Sequence, residues 1–159
     1  MLDVGSRIVV AGAGSIGCYV GGCLALAGRR VTLLLRPILA DDIALHGLRI
    51  SGFDGFERVL PASAFESSSE PQFALAAAQV LLVTVKSAAT AEMAGLIAQY
   101  APPDAIAVSF QNGIGNMEAL AATSVQRARS LLVWCLSMSC RCATRDKRPT
   151  SIAPAVAQC

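Results

Sequence analysis

The chain has 159 residues, of which 54% are hydrophobic and 15% are charged, with a formal net charge of +2. This composition excludes a disordered chain and suffices for one domain with a sizeable core. No apolar run reaches the ~18 residues that cross a bilayer, and the N-terminus lacks the apolar region of a signal peptide, so we expect a cytoplasmic protein without membrane contact.

The first predicted elements are a buried strand at residues 7–11 and a helix at residues 15–27. Between them lies the motif Gly-x-Gly-x-x-Gly at residues 12–17. A helix that begins at such a motif presents free N–H groups and the positive end of its dipole to a phosphate. The order strand, motif, helix therefore predicts a dinucleotide-binding loop, and the alternative is a glycine-rich turn in an ordinary βα unit.

The three glycines of the motif have separate roles in such a loop. Gly12 permits the tight turn out of the strand, Gly14 lets a pyrophosphate approach the main chain, and Gly17 lets the helix pack close to the strand. The predicted cofactor-binding residues of the loop are Gly12, Ala13, Gly14, Ser15, Ile16 and Gly17.

Buried strands and helical patterns alternate along the rest of the chain to about residue 122. Short, continuous apolar runs predict strands at residues 31–35, 80–85 and 105–110. This alternation predicts an α/β fold, a Rossmann-like doubly wound parallel sheet. The other predicted elements are a weak helix at 38–46, a hairpin-like element at 47–56, a polar loop at 66–71, one or two helical turns at 73–78, a helix at 88–100 and a helix that begins at 117.

Arg36 follows the second predicted strand, at the edge of the sheet where doubly wound folds bind ligands. It lies about 20 residues after the glycine motif, where NAD-selective sites carry an acidic residue for the ribose 2′-hydroxyl. A guanidinium at this place pairs instead with the 2′-phosphate of NADP. The alternative is a solvated arginine at a strand end.

Two more polar residues follow predicted strands. Lys86 is placed to face a cofactor phosphate, a ribose or an anionic substrate, unless it merely extends from a buried strand into water. Asn112 can hold a carboxamide, a ribose or a substrate hydroxyl, although Asn-Gly is also a common turn dipeptide. His46, the only histidine, has no evident partner and is predicted to be structural or exposed.

Residues 124–159 differ from the rest in charge and in cysteine content. Basic residues dominate this segment, yet Trp134 is its only aromatic residue, so we expect no nucleic-acid partner. Cys140-Arg141-Cys142 is too closely spaced for a zinc knuckle and no histidine follows, so we expect no metal site. Cys18 and Cys23, in the first helix, are predicted to be small buried residues.

These motifs, in this order, resemble the N-terminal domain of the ketopantoate reductase (2-dehydropantoate 2-reductase) family. The resemblance covers about residues 5–122, and its most specific part is the pairing of Val-Lys-x-x-x-Thr with Gln-Asn-Gly-x-Gly-Asn. The segments that carry it are GAGSIG, LLLRP, HGLRI, VLLVTVKSAAT and SFQNGIGNMEAL.

The resemblance implies roles for the residues at the strand ends. Residues 12–17 would hold the pyrophosphate, Arg36 would lie by the 2′-phosphate and Lys86 by the cofactor. Asn112 would contact both the nicotinamide side and the substrate. The family's reaction is hydride transfer from NADPH to the keto group of 2-dehydropantoate, a small 2-oxo acid, which gives pantoate for pantothenate and coenzyme A synthesis. In the family, the proton donor is a lysine of a helical C-terminal domain, and a glutamate of that domain contacts the cofactor.

The domain boundaries predicted from this resemblance are 1–123 for the dinucleotide-binding domain and 124–159 for a divergent, poorly ordered tail. The tail has no clear period after Met138, and one strand at 131–136 is possible. Our hypothesis is that a frameshift ended a longer reductase gene. We therefore expect a truncated cofactor domain that has no catalytic residues of its own and is inactive alone.

Two other functions are compatible with the residues. One is a stand-alone dinucleotide-binding regulatory module, and the other is the cofactor domain of a different 2-oxo acid dehydrogenase. The sequence leaves the oligomeric state open.

Overall fold

The structure, a computed structural model, describes residues 3, 5–52, 55–111, 115–116, 118–120 and 156–158. Residues 116 and 118–120 are helical. The strands are β1 (Ile8–Ala11), β2 (Val31–Leu34), β3 (Leu48–Ser51), β4 (Glu57–Leu60), β5 (Glu66–Ser68), β6 (Val80–Val83), β7 (Ile106–Ser109) and β8 (Val156–Gln158). The α-helices with defined bounds are α1 (Ser15–Leu26), α2 (Pro37–His46), α3 (Pro71–Leu75) and α4 (Thr90–Tyr100), and single 3-10 turns cover Ala62–Ala64 and Ser87–Ala89.

Five parallel strands form the main sheet in the order β5-β2-β1-β6-β7. From β1 at the centre, the chain steps outward through β2 and β5 and then, in the other direction, through β6 and β7. The order reverses between β1 and β6, and at such a switch point the carboxyl ends of the strands open a crevice for a ligand. The predicted α/β class with a Rossmann-like doubly wound parallel sheet is therefore confirmed.

Both faces of the main sheet are buried, which explains why its central strands are continuous apolar runs. Val9 and Ala11 of β1 belong to a cluster that includes Leu75 of α3 and Ala94 of α4. Val10, which points to the opposite face, packs in a second cluster with residues of α1 and β3. Because successive side chains of a strand point to opposite faces, this alternation places helices on the two sides of β1.

Helix α1 lies between the main sheet and a smaller sheet of order β4-β3-β8. A Cβ atom on Gly17 would lie 2.5 Å from Thr84 Oγ1 and 3.0 Å from Val10 Cγ1, both in or beside the main sheet. A Cβ atom on Gly22 would lie 3.0 Å from Ile50 Cγ2 of β3. The glycines of α1 therefore permit close contact with both sheets.

The smaller sheet corrects and extends two predictions. The hairpin-like element predicted at 47–56 is longer, because β3 pairs antiparallel with β4 as far as Leu60. In the segment 124–159, the structure describes only β8, which pairs parallel with β3. The rest of that segment, including the possible strand at 131–136, lies outside the described residues.

The prediction of a polar loop at 66–71 is wrong, because its first residues form the edge strand β5 and its last residue begins α3. Main-chain pairing with β2 holds β5, and the Leu35 N–H donates to the Ser68 carbonyl over 2.9 Å. The Glu66 carboxylate accepts from Thr32 Oγ1 at 3.2 Å and pairs with Arg7 at 2.6 Å. The side chains of this edge strand form hydrogen bonds and ion pairs with polar neighbours, so its sequence contains no apolar run from which a strand could be predicted.

His46, which was predicted to be structural or exposed, is exposed, and it has a neighbour that the sequence analysis did not name. Its Nε2 lies 3.8 Å from Asp42 Oδ1, one turn earlier in α2. Residues four apart share a helix face, so the spacing itself brings them together.

Cys18 is buried, as predicted, whereas Cys23 is only half-buried. The Cys18 thiol donates to the Ala13 carbonyl over 3.3 Å. Burial raises the pKa of this thiol to about 11 because the thiolate would lose its hydration. The folded chain therefore favours the protonated form, and this contribution to stability is complete below pH 9 and is lost as the pH rises through about 11.

Two alanine substitutions at helical glycines should have opposite effects on stability. Gly17→Ala should lower the free energy of unfolding by about 1–3 kcal/mol, because the new Cβ overlaps Thr84. Gly95→Ala in α4 should raise it by about 0.5–1 kcal/mol, because no atom outside the local helix backbone lies within 4 Å of that Cβ position. Urea unfolding measures both changes, and stabilisation by Gly17→Ala would contradict the packing described for α1.

Cys18 should be alkylated about 100-fold more slowly in the folded chain than in urea at pH 8, because a pKa of about 11 instead of 9.0 reduces the thiolate fraction by that factor. Iodoacetamide labelling followed by peptide mass spectrometry measures the rate at each cysteine. Cys23, on the same helix and half-buried, is the internal control. Equal rates at Cys18 in the folded and unfolded chain would disprove its burial.

Candidate cofactor site

The glycine loop is placed by close contact with the segment that follows β6. Gly12 has a φ of +85°, and a Cβ atom there would collide with Val85 Cγ1 and lie 3.3 Å from Val85 Cα. A left-handed φ and a main-chain approach of this kind both require glycine. The first glycine of the motif therefore lets the loop pack directly against the segment that follows the neighbouring strand.

The loop is also hydrogen-bonded to the strands on both sides of β1. The Ala13 N–H donates to the Leu34 carbonyl at the end of β2 over 2.9 Å. Thr84, after β6, donates its N–H to the Ala11 carbonyl at 3.0 Å and its hydroxyl to the Gly12 carbonyl at 2.9 Å. These bonds fix the loop at the switch point of the sheet.

Gly14 provides the open position that a bound dinucleotide needs. It is the N-cap of α1, and no atom outside its immediate chain neighbours lies within 4 Å of the place where its Cβ would be. The first helical bond runs from the Cys18 N–H to the Gly14 carbonyl at 2.8 Å, so the N–H groups of residues 15–17 precede the ladder of helical bonds. An anion at this place would meet those N–H groups and the positive end of the helix dipole. The residues present therefore fit the pyrophosphate of a dinucleotide.

Two exposed cations follow the strands on either side of this opening. Arg36 comes after β2 as the N-cap of α2, and Lys86 comes after β6 at the start of the turn Ser87–Ala89. In the part of the chain that the structure describes, neither side chain has an ion-pair or hydrogen-bond partner. The structure thus brings the glycine loop, Arg36 and Lys86 to the carboxyl ends of three adjacent strands. Asn112 lies outside the described residues.

Sequence reasoning missed a buried polar network beside Lys86. The carboxamide of Gln111 donates from Nε2 to the Val85 carbonyl at 2.9 Å and to Thr90 Oγ1 at 2.6 Å. The Thr90 hydroxyl donates to Asn116 Oδ1 at 3.0 Å. Asn116 Nδ2 in turn donates to Ser87 Oγ at 3.2 Å.

A signal for this network was present in the sequence, but its geometry was not. Thr90, Gln111 and Asn116 belong to the two motifs that carry the family resemblance, yet no role was predicted for them. Thr90 is 21 positions from Gln111 and 26 from Asn116, so no local spacing reveals their contact. Only the adjacency of β6 and β7 brings them together.

No helix in the described ranges combines the length and apolar character that a membrane crossing requires. Among the same residues, no three His, Cys, Asp or Glu side chains form a group that could hold a metal ion.

Comparison with known proteins identifies the family. The family model for ketopantoate reductase PanE/ApbA matches residues 8–147, a range that extends past residue 123, where the motif resemblance was predicted to end. The 2-dehydropantoate 2-reductase of Pyrococcus horikoshii is 33% identical over 112 residues, which are 70% of this chain and 35% of that protein. The glycerol-3-phosphate dehydrogenase [NAD(P)+] of Rhizobium etli is 34% identical over 110 residues, which are 68% of this chain and 32% of that protein.

A solved structure agrees with this assignment. The crystal structure of the PanE/ApbA family ketopantoate reductase from Ralstonia eutropha JMP134 superposes with a TM-score of 0.66 and 33% identity, covering 73% of this chain and 37% of that one. The chain therefore spans about a third of the length of the relatives that it matches. The matched range, the identities and the shared fold show that this chain belongs to the ketopantoate reductase family PanE/ApbA.

Proposed function

We propose that this chain is the NADP-binding domain of a 2-dehydropantoate 2-reductase-like oxidoreductase. In this proposal residues 12–17 hold the pyrophosphate, Arg36 binds the 2′-phosphate and Lys86 contacts the cofactor. The observation that carries it is the open position at Gly14, at the N-terminus of α1, between two exposed cations that lack partners in the described ranges. A ligand with a pyrophosphate and a further phosphate has the charge that this arrangement complements.

The selectivity for NADP rests on Arg36. Its guanidinium follows β2, which lies next to β1 and its glycine loop in the sheet. A planar guanidinium can bind two oxygens of a phosphate, whereas the 2′-hydroxyl of NAD offers no negative charge in return. A site with an arginine here should therefore bind NADPH more tightly than NADH.

A bound nicotinamide dinucleotide supplies the hydride of the family's reaction. The residues of this chain would bind and orient that cofactor, and Asn112, after β7, remains the predicted contact to both nicotinamide and substrate. The reduction of a keto group also needs a proton donor near the developing alkoxide. We assign that donor to the part of the relatives that this chain does not match, and therefore propose that the chain binds NADPH without catalysing turnover.

The comparisons support a cofactor role for the matched segment and leave the substrate to other segments. Relatives named for 2-dehydropantoate and for glycerol 3-phosphate each match this chain over about a third of their own length. Because these relatives are named for different substrates, we assign the segment that they share with this chain to binding the nicotinamide cofactor and not to binding the substrate. The cofactor domain of another dehydrogenase is accordingly the second candidate function. Reduction of a 2-oxo acid in the pathway to pantothenate, in the cytoplasm, is the function that the family name favours.

The cofactor preference gives the first test. Arg36→Ala should raise the Kd for NADPH by roughly 10- to 100-fold, because a charge-assisted phosphate contact is lost, and should change the Kd for NADH little. Titration of intrinsic or nucleotide fluorescence at low ionic strength measures both constants.

The matched control for this variant is Arg30→Ala. Arg30 is also an exposed arginine, but it precedes β2, at the opposite edge of the sheet, so its removal should leave both Kd values unchanged. Gly14→Ala, in the open position, should instead weaken NADPH and NADH alike. Equal losses for the two cofactors in Arg36→Ala would rule out the 2′-phosphate role.

The absence of turnover is a separate prediction. The purified 159-residue chain should bind NADPH but show no oxidation of NADPH above background when ketopantoate is added. The loss of absorbance at 340 nm measures this, with a full-length 2-dehydropantoate 2-reductase as the positive control. Turnover by the chain alone would place the proton donor within it and overturn this part of the proposal.

A further inference from the structure

We propose that Thr90, Gln111 and Asn116 are positioning residues that hold the main chain on both sides of Lys86 beside the glycine loop and so control how tightly the chain binds the dinucleotide. This inference rests on the proposed cofactor role of Lys86. It assigns a function to a network that lies beside the cofactor site.

The network holds the main chain on one side of Lys86 through Gln111. The two hydrogens of the Gln111 amide go to the Val85 carbonyl at 2.9 Å and to Thr90 Oγ1 at 2.6 Å. Since a carbonyl can only accept, the amide nitrogen must face Val85. The Ser109 hydroxyl donates to Gln111 Oε1 at 3.1 Å and accepts the Gln111 N–H at 3.2 Å, so it satisfies the remaining side of the carboxamide.

The same network reaches the residue on the other side of Lys86. The Thr90 hydroxyl accepts from Gln111 and donates to Asn116 Oδ1 at 3.0 Å. Asn116 Nδ2 then donates to Ser87 Oγ at 3.2 Å. Val85 and Ser87 are the two chain neighbours of Lys86, so the network holds both.

The opposite side of this segment rests on the glycine loop. Val85 packs so closely against Gly12 that no Cβ would fit, and the Thr84 hydroxyl donates to the Gly12 carbonyl at 2.9 Å. The segment 84–87 therefore lies between the network and the dinucleotide-binding loop. A shift of the network would move Lys86 relative to that loop.

Burial makes the network rigid enough to act in this way. Thr90 is 2% exposed, Gln111 5% and Asn116 6%. A buried donor or acceptor that loses its partner cannot turn to water instead, so the bonds among these three side chains are costly to break. The Lys86 side chain is exposed and has no partner in the described residues, so its position depends on the main chain that carries it.

The test compares Thr90→Val, which keeps the shape but removes the hydroxyl, with Thr90→Ser, which restores it. Thr32→Val is the matched control, because Thr32 is 3% exposed and its hydroxyl bonds Glu66 in the sheet. If Thr90 has a positioning role, Thr90→Val should raise the Kd for NADPH by at least about fivefold, and Thr90→Ser should restore most of the lost affinity. Thr32→Val should leave the Kd unchanged although it lowers the free energy of unfolding by a similar amount.

A double-mutant cycle shows whether the effect passes through Lys86. Lys86→Met should raise the Kd for NADPH by about tenfold in the unmodified chain but by less than about threefold in the Thr90→Val background. Additive effects would overturn the positioning role. Ser87→Ala, which removes the exposed end of the network, gives a second route to the same measurement if Thr90→Val unfolds.

Amide hydrogen exchange of the chain without nucleotide supplies a readout that needs no cofactor. Thr90→Val should speed exchange in residues 84–87 while Thr32→Val should not, and unchanged exchange there would refute the positioning role. Failure of the unmodified chain to bind NADPH would refute the proposed function itself. Binding that Thr90→Val leaves unchanged would refute only the positioning.

Discussion

The contact of Gly12 with Val85 is the constraint on which the rest of the site depends. It brings the turn after β1 against the segment after β6, at the point where the strand order reverses. Because the turn has a left-handed φ and no room for a side chain, only glycine satisfies it. Once the turn is fixed, Gly14 and the N-terminus of α1 face open space, and Lys86 follows one residue after the contact. The candidate cofactor site and its flanking cation thus derive from one close approach.

The polar network extends this constraint from the loop into the next strand connection. Gln111, after β7, bonds the carbonyl of the residue that packs on Gly12, and Asn116 bonds the residue after Lys86. Three successive connections at the carboxyl edge are therefore mechanically linked. A change in one of these connections would therefore displace the others.

The proposed function divides cofactor binding and substrate recognition between different segments of the family's proteins. The part matched here contains the switch point, the glycine loop and the two cations, to which we assign the binding of a dinucleotide. Relatives named for different substrates match over a similar third of their length. The proposal accordingly assigns substrate choice and proton donation to the remaining two thirds of such proteins, and cofactor binding is the property to measure in this chain.

The sequence by itself determined the class of the fold, the glycine loop and the family. Short apolar runs can be identified as strands because a sheet buried on both faces requires them, and glycines at residues 12, 14 and 17 carry a local geometric requirement. The edge strand β5 escaped because its stability comes from pairing with β2 and from the partners of Glu66, which leave no local pattern. The bond between Gln111 and Thr90, 21 residues apart, likewise exists only because β6 and β7 are neighbours in the sheet. Tertiary structure alone decided which polar side chains that are far apart in sequence meet, since hydrogen bonds between distant residues depend on how the strands are arranged and not on the spacing of residues along the chain.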